Sequence, residues 1–231
     1  MSWKPLFEPP QNPMLPIEGD DRLFPIRRIF CVGRNYAAHA AEMGNEVDRE
    51  APWYFNKSAQ AYCAGGSKIP MPSETQNCHY EMEFVVALDR PASKVSADHA
   101  MEAVFGYGCG IDLTRRDLQA QAKEKRRPWD LGKDFENAAI LGALTPKAQF
   151  GDVNNQQIWL DHNGRRVQDA TLSDMVWSVP EIIAHLSRFY RLMPGDVIMT
   201  GTPAGVGPVG PGSHLKGGVE GLTEVEVSFS E

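Results

Sequence analysis

The stretch HYEMEFVVAL, residues 79–88, passes from a polar entry into an unbroken apolar, β-favouring run, and the DRP at 89–91 ends it. It reads as a β-strand over 81–88. Side chains alternate across a strand, so Glu81 and Glu83 share one face while Met82 points to the other, toward a core. Two carboxylates among apolar neighbours repel and need a compensating cation, most simply a bound metal. An isolated E-x-E is more often the polar face of an edge strand, so the pair needs a third partner. VFGYGCGIDL, residues 104–113, is glycine-interrupted but β-favouring and carries Asp112, 29 residues after Glu83. A neighbouring strand would return Asp112 to the same patch. Three oxygen ligands without thiolate or imidazole select a hard cation, Mg²⁺ first, then Mn²⁺, with Ca²⁺ third.

Working outward, IRRIFCVG (26–33) reads as a strand entering a loop, and good helix formers over 36–43, stopped by Gly44, predict a short helix followed by a mobile loop. A second short helix is expected over 96–103. Thr114 is expected to cap a helix through RRDLQAQAKEKR, ending before Pro128. Asn163-Gly164 predicts a two-residue hairpin turn. Ser178-Val-Pro-Glu181 predicts a capping box opening a helix whose core face carries Ile182, Ile183, Leu186 and Phe189 or Tyr190. GDVIMTG (195–201) and TEVEVSF (223–229) read as the last two strands, separated by a glycine- and proline-rich segment.

The 231 residues carry a formal net charge of −7, which removes the long-range attraction a polyphosphate backbone needs and argues against nucleic-acid binding. With 21 glycines and 17 prolines, the chain exceeds the usual combined share of about 12%, favouring a turn-rich, mostly β architecture. Five prolines among the first 16 residues predict an extended arm over 1–23 ahead of a single domain over 24–231. Cys31, Cys63, Cys78 and Cys109 form no C-x-x-C pair, which implies a reducing compartment. With no apolar run of membrane-span length and no leader pattern, the expectation is a cytoplasmic protein without membrane or nucleic-acid partners.

His39 and Glu42 lie three apart on the short predicted helix and therefore share a face. A histidine oriented by a carboxylate is the simplest general base near neutral pH, although a solvated surface pair has the same spacing. Lys57 and Lys133 sit beside apolar and aromatic residues, where an ammonium could meet an anionic oxygen. Arg34, Arg115, Arg116 and Gln119 are candidates for carboxylate recognition. GVGPVG at 205–210 matches G-x-G-x-x-G, but Pro208 and Pro211 prevent the helix a dinucleotide site requires. No G-x-S-x-G elbow is present.

Taken in order, VGRNYAAHAAEMG, HYEMEFVVAL, GYGCGIDLTRRDLQ, PWDLGKDF and VIMTGTPAGVG resemble the fumarylacetoacetate hydrolase family over about residues 24–231. The resemblance implies an α+β, mostly β fold, a mixed β-sandwich roll with a few short helices. It implies that Glu81, Glu83 and Asp112 hold Mg²⁺ or Mn²⁺, that His39 and Glu42 on a lid helix activate water, and that Lys133 lies near the metal. Arg116, Gln119 and Thr202 would then help bind a 2-oxo acid, with a homodimer as the assembly. The implied reaction is hydrolytic carbon–carbon cleavage of a 3-acylpyruvate. The segments at 24–44 and 48–60 are most similar to members that cleave fumarylpyruvate in gentisate-type aromatic catabolism. One departure is FNKSAQ, where related acylpyruvate hydrolases read F-x-K-P, so Ser58 replaces a proline. Two alternatives stay open: oxaloacetate decarboxylation or 2-oxo diacid isomerisation through the same enolate, and a non-catalytic β domain with a structural ion. A lid over 33–50 is expected to order on substrate binding.

Overall fold

The computed structural model describes residues 4–44 and 49–231. Its centre is the strand pair Met82–Leu88 and Val104–Asp112, antiparallel neighbours in an eight-stranded mixed sheet. Every residue of Met82–Leu88 is buried, which accounts for its continuous apolar run. From one edge the sheet runs Trp53–Lys57, Arg28–Gly33, Asp196–Met199, Met82–Leu88, Val104–Asp112, Ala139–Leu141 and Tyr62–Ala64, and Thr145–Pro146 also pairs with Val104–Asp112. Asp196–Met199 runs parallel to Arg28–Gly33, and Ala139–Leu141 parallel to Tyr62–Ala64. A five-stranded sheet, Arg165–Thr171, Gln157–His162, His214–Val219, Val225–Phe229 and Ser67–Ile69, packs on the first. The architecture is mostly β with a few short helices, as expected. Among the described residues no helix is long and apolar enough to cross a membrane.

Glycine spacing explains how neighbouring backbone can approach the central strand Val104–Asp112 closely. Gly106, Gly108 and Gly110 fall on one face, and a Cβ at Gly106 would overlap the Thr145 carbonyl oxygen. The backbone of 143–146 therefore lies directly on the strand. Gly217 does the same between the sheets, where a Cβ would come within 2.6 Å of Met82 Sδ and 2.8 Å of Leu160 Cδ1.

Several expectations are met locally. The 163–164 hairpin forms with Asn163 at φ 52° and Gly164 at φ 77°. Ser178 and Glu181 form the capping box of helix Val179–Phe189. Its core face is Ile182, Ile183 and Leu186, whereas Phe189 and Tyr190 are exposed, Tyr190 with its ring 5.1 Å from that of Phe30.

Others are corrected. Residues 14–23 are not a free arm: Met14–Pro16 pairs with Leu23–Pro25 and Leu15 is fully buried. Proline removes a donor but keeps its carbonyl, and the Pro13 and Pro16 oxygens accept the Ile26 and Leu144 amides, so the expected boundary at 23/24 cuts a paired unit. Thr114 is not a helix cap; it pairs with His79 in a short strand, and helix Arg116–Glu124 opens from Arg115. Within the glycine-rich segment after Thr202, His214–Val219 is a strand inside the second sheet. Its apolar pattern is hidden because Gly217 and Gly218 take the places of side chains, Gly218 lying against the Trp159 indole. The mobile loop expected after Gly44 falls largely on 45–48, outside the described residues.

Because Gly106 faces a backbone atom and Gly142 meets nothing closer than 3.5 Å, their alanine variants should separate. Gly106→Ala is expected to lower the unfolding free energy by about 2–3 kcal/mol and Gly142→Ala by less than about 1 kcal/mol in urea denaturation. Equal effects would contradict the close approach at Gly106.

Candidate active site

Register brings the three carboxylates together. The Asp112 amide donates to the Glu81 carbonyl at 2.8 Å, and Glu83 is paired with Gly110, so the start of one strand meets the end of its neighbour. Ligand oxygens of Glu81, Glu83 and Asp112 all lie within 4.8 Å of one another, and all three residues are buried. Three cations stand behind them. Lys133 Nζ donates to Glu81 Oε2 at 2.8 Å, Asp112 Oδ2 at 2.7 Å and Thr114 Oγ1 at 2.7 Å, which uses all its protons. Lys57 Nζ lies 2.8 Å from Asp112 Oδ1 as an ion pair while donating to the Leu113 and Lys133 carbonyls. Arg116 donates one arm to Glu81 Oε1 and the other to Gln119 Oε1.

Electrostatics separates the three acids. Burial alone would raise Glu81, but the neighbouring Lys133 and Arg116 charges outweigh it and hold the carboxyl well below its usual range. Glu83 goes the other way: burial, then the Asp112 and Glu81 charges, push it well above that range, with the Gly201 amide at 2.8 Å as its donor. Asp112 Oδ1 is buried, with the Lys57 ammonium 2.8 Å away as its partner. A buried set of oxygen ligands that includes one carboxylate strongly disfavoured as an anion fits a hard divalent cation.

Above this floor is a cleft lined by Arg34, His39, Glu81, Glu83, Arg116, Gln119, Lys133 and Thr202. Helix Ala37–Glu42 carries His39, which is buried, with Nδ1 3.3 Å from Glu42 Oε2. Glu42 also accepts the Gly205 amide at 3.1 Å, tying the helix to the loop after Thr202. The helix is anchored at its start by buried Asn35, whose Nδ2 donates to the Thr200 and Trp177 carbonyls and whose Oδ1 accepts the Trp177 amide. Of the lid over 33–50, this helix is formed and bonded in the present structure, while residues 45–48 lie outside the described residues.

Eight of the twelve candidate residues line the cleft; Glu42, Asp112 and Lys57 stand just behind it, on His39, Lys133 and Asp112 respectively. Arg115 is separated from them, its guanidinium 4.2 Å above the Phe135 ring and bonded to Leu131 and Ser73. Sequence reasoning left Gln168 unnoticed. Its Oε1 accepts the Met82 amide, and its Nε2 donates to Thr202 Oγ1 and the Pro203 carbonyl, which fixes the Thr202 turn to the central strand. A lone glutamine in a hairpin carries no signal for that role. Ser58 keeps φ at −63°, a value proline shares, and both its amide and hydroxyl donate to Asp134 Oδ1. The departure from F-x-K-P thus leaves Lys57 in place and adds a tie to the segment carrying Lys133.

A mostly β chain with a buried oxygen-ligand centre under an open cleft defines a class of small-molecule enzyme whose chemistry sits on two adjacent strands. The chain belongs to the fumarylacetoacetate hydrolase family: the model of the fumarylacetoacetate (FAA) hydrolase C-terminal domain matches residues 28–230. A fumarylpyruvate hydrolase of Ralstonia sp is 44% identical over 188 residues, covering 80% of this chain and 97% of that relative. The mitochondrial oxaloacetate tautomerase FAHD1 of Homo sapiens is 40% identical over 199 residues, covering 86% and 90%. The crystal structure of fumarylpyruvate hydrolase from Pseudomonas aeruginosa in complex with Mn²⁺ and pyruvate superimposes with a TM-score of 0.95 at 43% identity, covering 98% of this chain and 99% of that one. The curled half-barrel sheet is the one typical of this family.

Gln168→Leu keeps volume but strands the Met82 amide and the Thr202 turn. Urea denaturation should show a loss of about 2–3 kcal/mol, and an unchanged midpoint would remove Gln168 from this support.

Proposed function

We propose that the chain is a metal-dependent hydrolase that cleaves the carbon–carbon bond of a 3-acylpyruvate, with fumarylpyruvate the favoured substrate and fumarate and pyruvate the products. The observation that carries this reading is that His39, held by Glu42, opens onto the same cleft as Glu81 and Glu83, which group with Asp112 behind them. The similarity to fumarylpyruvate hydrolases supports the choice of acyl group.

Glu81, Glu83 and Asp112 would hold Mg²⁺ or Mn²⁺, which supplies Lewis-acid polarisation of the 2-oxo acid oxygens when bound. Every other step falls to side chains. Arg116 and Gln119, already joined at 2.8 Å, present N–H donors at one wall for the substrate's 2-oxo acid carboxylate, and Thr202 faces them from the loop. Glu42 holds the imidazole by Nδ1, leaving Nε2 to take a proton from water. The water oxygen bonds to the acyl carbonyl carbon, the carbon–carbon bond to the pyruvate methylene breaks, and its electron pair leaves as pyruvate enolate. The proton on His39 returns to that carbon, giving pyruvate and the free acid. Lys133, with its donors committed to Glu81, Asp112 and Thr114, acts by positioning: burial opposes its charge, but Asp112 and Glu81 hold it protonated well above the usual lysine range. A cytoplasmic homodimer belongs to the same reading.

The 40% identity to oxaloacetate tautomerases favours a second reading, enolisation or decarboxylation of oxaloacetate on the same floor. Fumarylpyruvate, acetylpyruvate and oxaloacetate assayed side by side with Mn²⁺ should show fumarylpyruvate with the highest kcat/KM, and dominance of oxaloacetate turnover would replace the hydrolase reading. Chelation should abolish cleavage. His39→Ala should lower kcat by about 10²–10⁴-fold with Mn²⁺ binding retained, and full activity in that variant would remove the base assignment.

A further inference from the structure

Helix Arg116–Glu124 presents Arg116, Gln119 and Lys123 at positions i, i+3 and i+7, one above another on a single face. All three line the cleft. Arg116 reaches the carboxylate floor, and Lys123 stands two turns, about 10 Å, farther along the helix axis. At that level the wall is aromatic. Lys123 Nζ lies 4.9 Å from the Trp129 ring, Trp129 meets Trp53 edge-on at 4.8 Å, and the Arg34 guanidinium lies 5.7 Å from Trp53. Trp53 in turn rests on Gly33, where any Cβ would overlap the indole.

Two half-buried cations thus flank a pair of tryptophans, and among the described residues neither forms an ion pair. Among the described residues, the acidic side chains lining the cleft are Glu81 and Glu83, both at its floor. Burial, followed by the Arg116 and Arg34 charges, lowers the Lys123 ammonium from its ordinary pKa against the opposing pull of Glu81, and among the described residues it has no ion-pair partner. Cation–π contacts orient such groups but leave their N–H donors free for an anion.

We infer that Lys123, with Arg34 opposite, receives a second carboxylate at the far end of the acyl group, and that the Trp53–Trp129 pair covers the carbon chain between. The inference rests on the hydrolase reading and narrows it to acylpyruvates that are themselves diacids. Length agrees. An extended seven-carbon diacid spans roughly 7–8 Å between terminal carbons at ordinary bond lengths, enough to connect the floor with Lys123. A four-carbon diacid spans about half of that and leaves Lys123 unmet. Lys123 is therefore a specificity-determining residue that distinguishes long diacid substrates from oxaloacetate and from acyl groups ending in methyl.

The test separates binding from cleavage. In the Mn²⁺-loaded His39→Ala protein, which should bind without turnover, fumarylpyruvate and acetylpyruvate are titrated by calorimetry, with tryptophan fluorescence reporting entry against Trp53 and Trp129. Fumarylpyruvate should bind at least tenfold more tightly than acetylpyruvate. Adding Lys123→Met should erase that ratio, whereas Lys123→Arg should keep most of it. A loss of stability or of cation binding would weaken both ligands together and leave the ratio intact, so the ratio reads recognition alone. A preference that survives Lys123→Met, or no preference before it, overturns the inference. Wild-type protein that shows the Lys123-dependent preference but cleaves neither ligand would overturn the hydrolase reading and leave the carboxylate receptor standing. Cleavage with a preference indifferent to Lys123 would do the reverse.

Discussion

The 2.8 Å hydrogen bond from the Asp112 amide to the Glu81 carbonyl sets the geometry on which the rest of the molecule depends. A one-residue slip in that antiparallel register would turn Glu83 to the core face and bring Met82 into the cleft. The slip is opposed in two ways. Met82 is enclosed by the second sheet near Gly217, and its amide is held by Gln168 of that sheet, so the register is fixed both by packing and by a buried polar group. Repeated glycines in the partner strand let the 143–146 backbone close over it, and the same closeness leaves the strand little room to shift.

Three acids at the meeting point of two strands would be strongly destabilising if left alone, since the desolvation of each ion costs several kcal/mol. The fold answers with Lys57 and Lys133, both nearly inaccessible to water, and with the Arg116 fork. These cations are not evenly shared. Glu81 is matched twice, by Lys133 and Arg116, whereas Glu83 has a single amide donor from Gly201. The resulting asymmetry leaves one carboxylate in want of positive charge, which is the condition under which a divalent cation gains most by entering. Gly201 can serve as that donor because it sits at φ 99°, where a Cβ would press to 2.8 Å from Asn35 Cβ. Asn35 in turn holds the start of the His39 helix. The base, the loop and the floor are therefore coupled through a few buried hydrogen bonds.

How much of this was legible in the sequence follows from which interactions are local. The E-x-E alternation and the distant aspartate can be read because a strand's period is two and a glycine-broken run announces a second strand. The His39 and Glu42 pair is legible for the same reason, being one helical turn apart. Thr114 misled because a threonine before a helical run has the local signature of a cap, yet its hydroxyl is claimed by Lys133 from another part of the chain. Strand His214–Val219 was hidden because its glycines make room for Met82, Leu160 and Trp159, partners far away in sequence. Gln168 and Asn35 likewise bond to atoms more than 80 residues distant, and no periodicity encodes that.

A floor of this kind does not by itself choose a substrate. The same carboxylates would serve any 2-oxo acid that forms an enolate, and relatives of similar identity carry the names of a fumarylpyruvate hydrolase and of oxaloacetate tautomerases. Discrimination must then come from groups the common chemistry does not need. In this chain helix Arg116–Glu124 is placed to provide it, because a straight helix rising from the floor projects a side chain into the cleft at each successive turn. Its first residue serves the reacting end through Glu81 and its eighth stands beside the aromatic wall. A change at Lys123 leaves the Arg116–Glu81 pair in place, so on the inference drawn above catalysis and selection would fall to different residues of one helix.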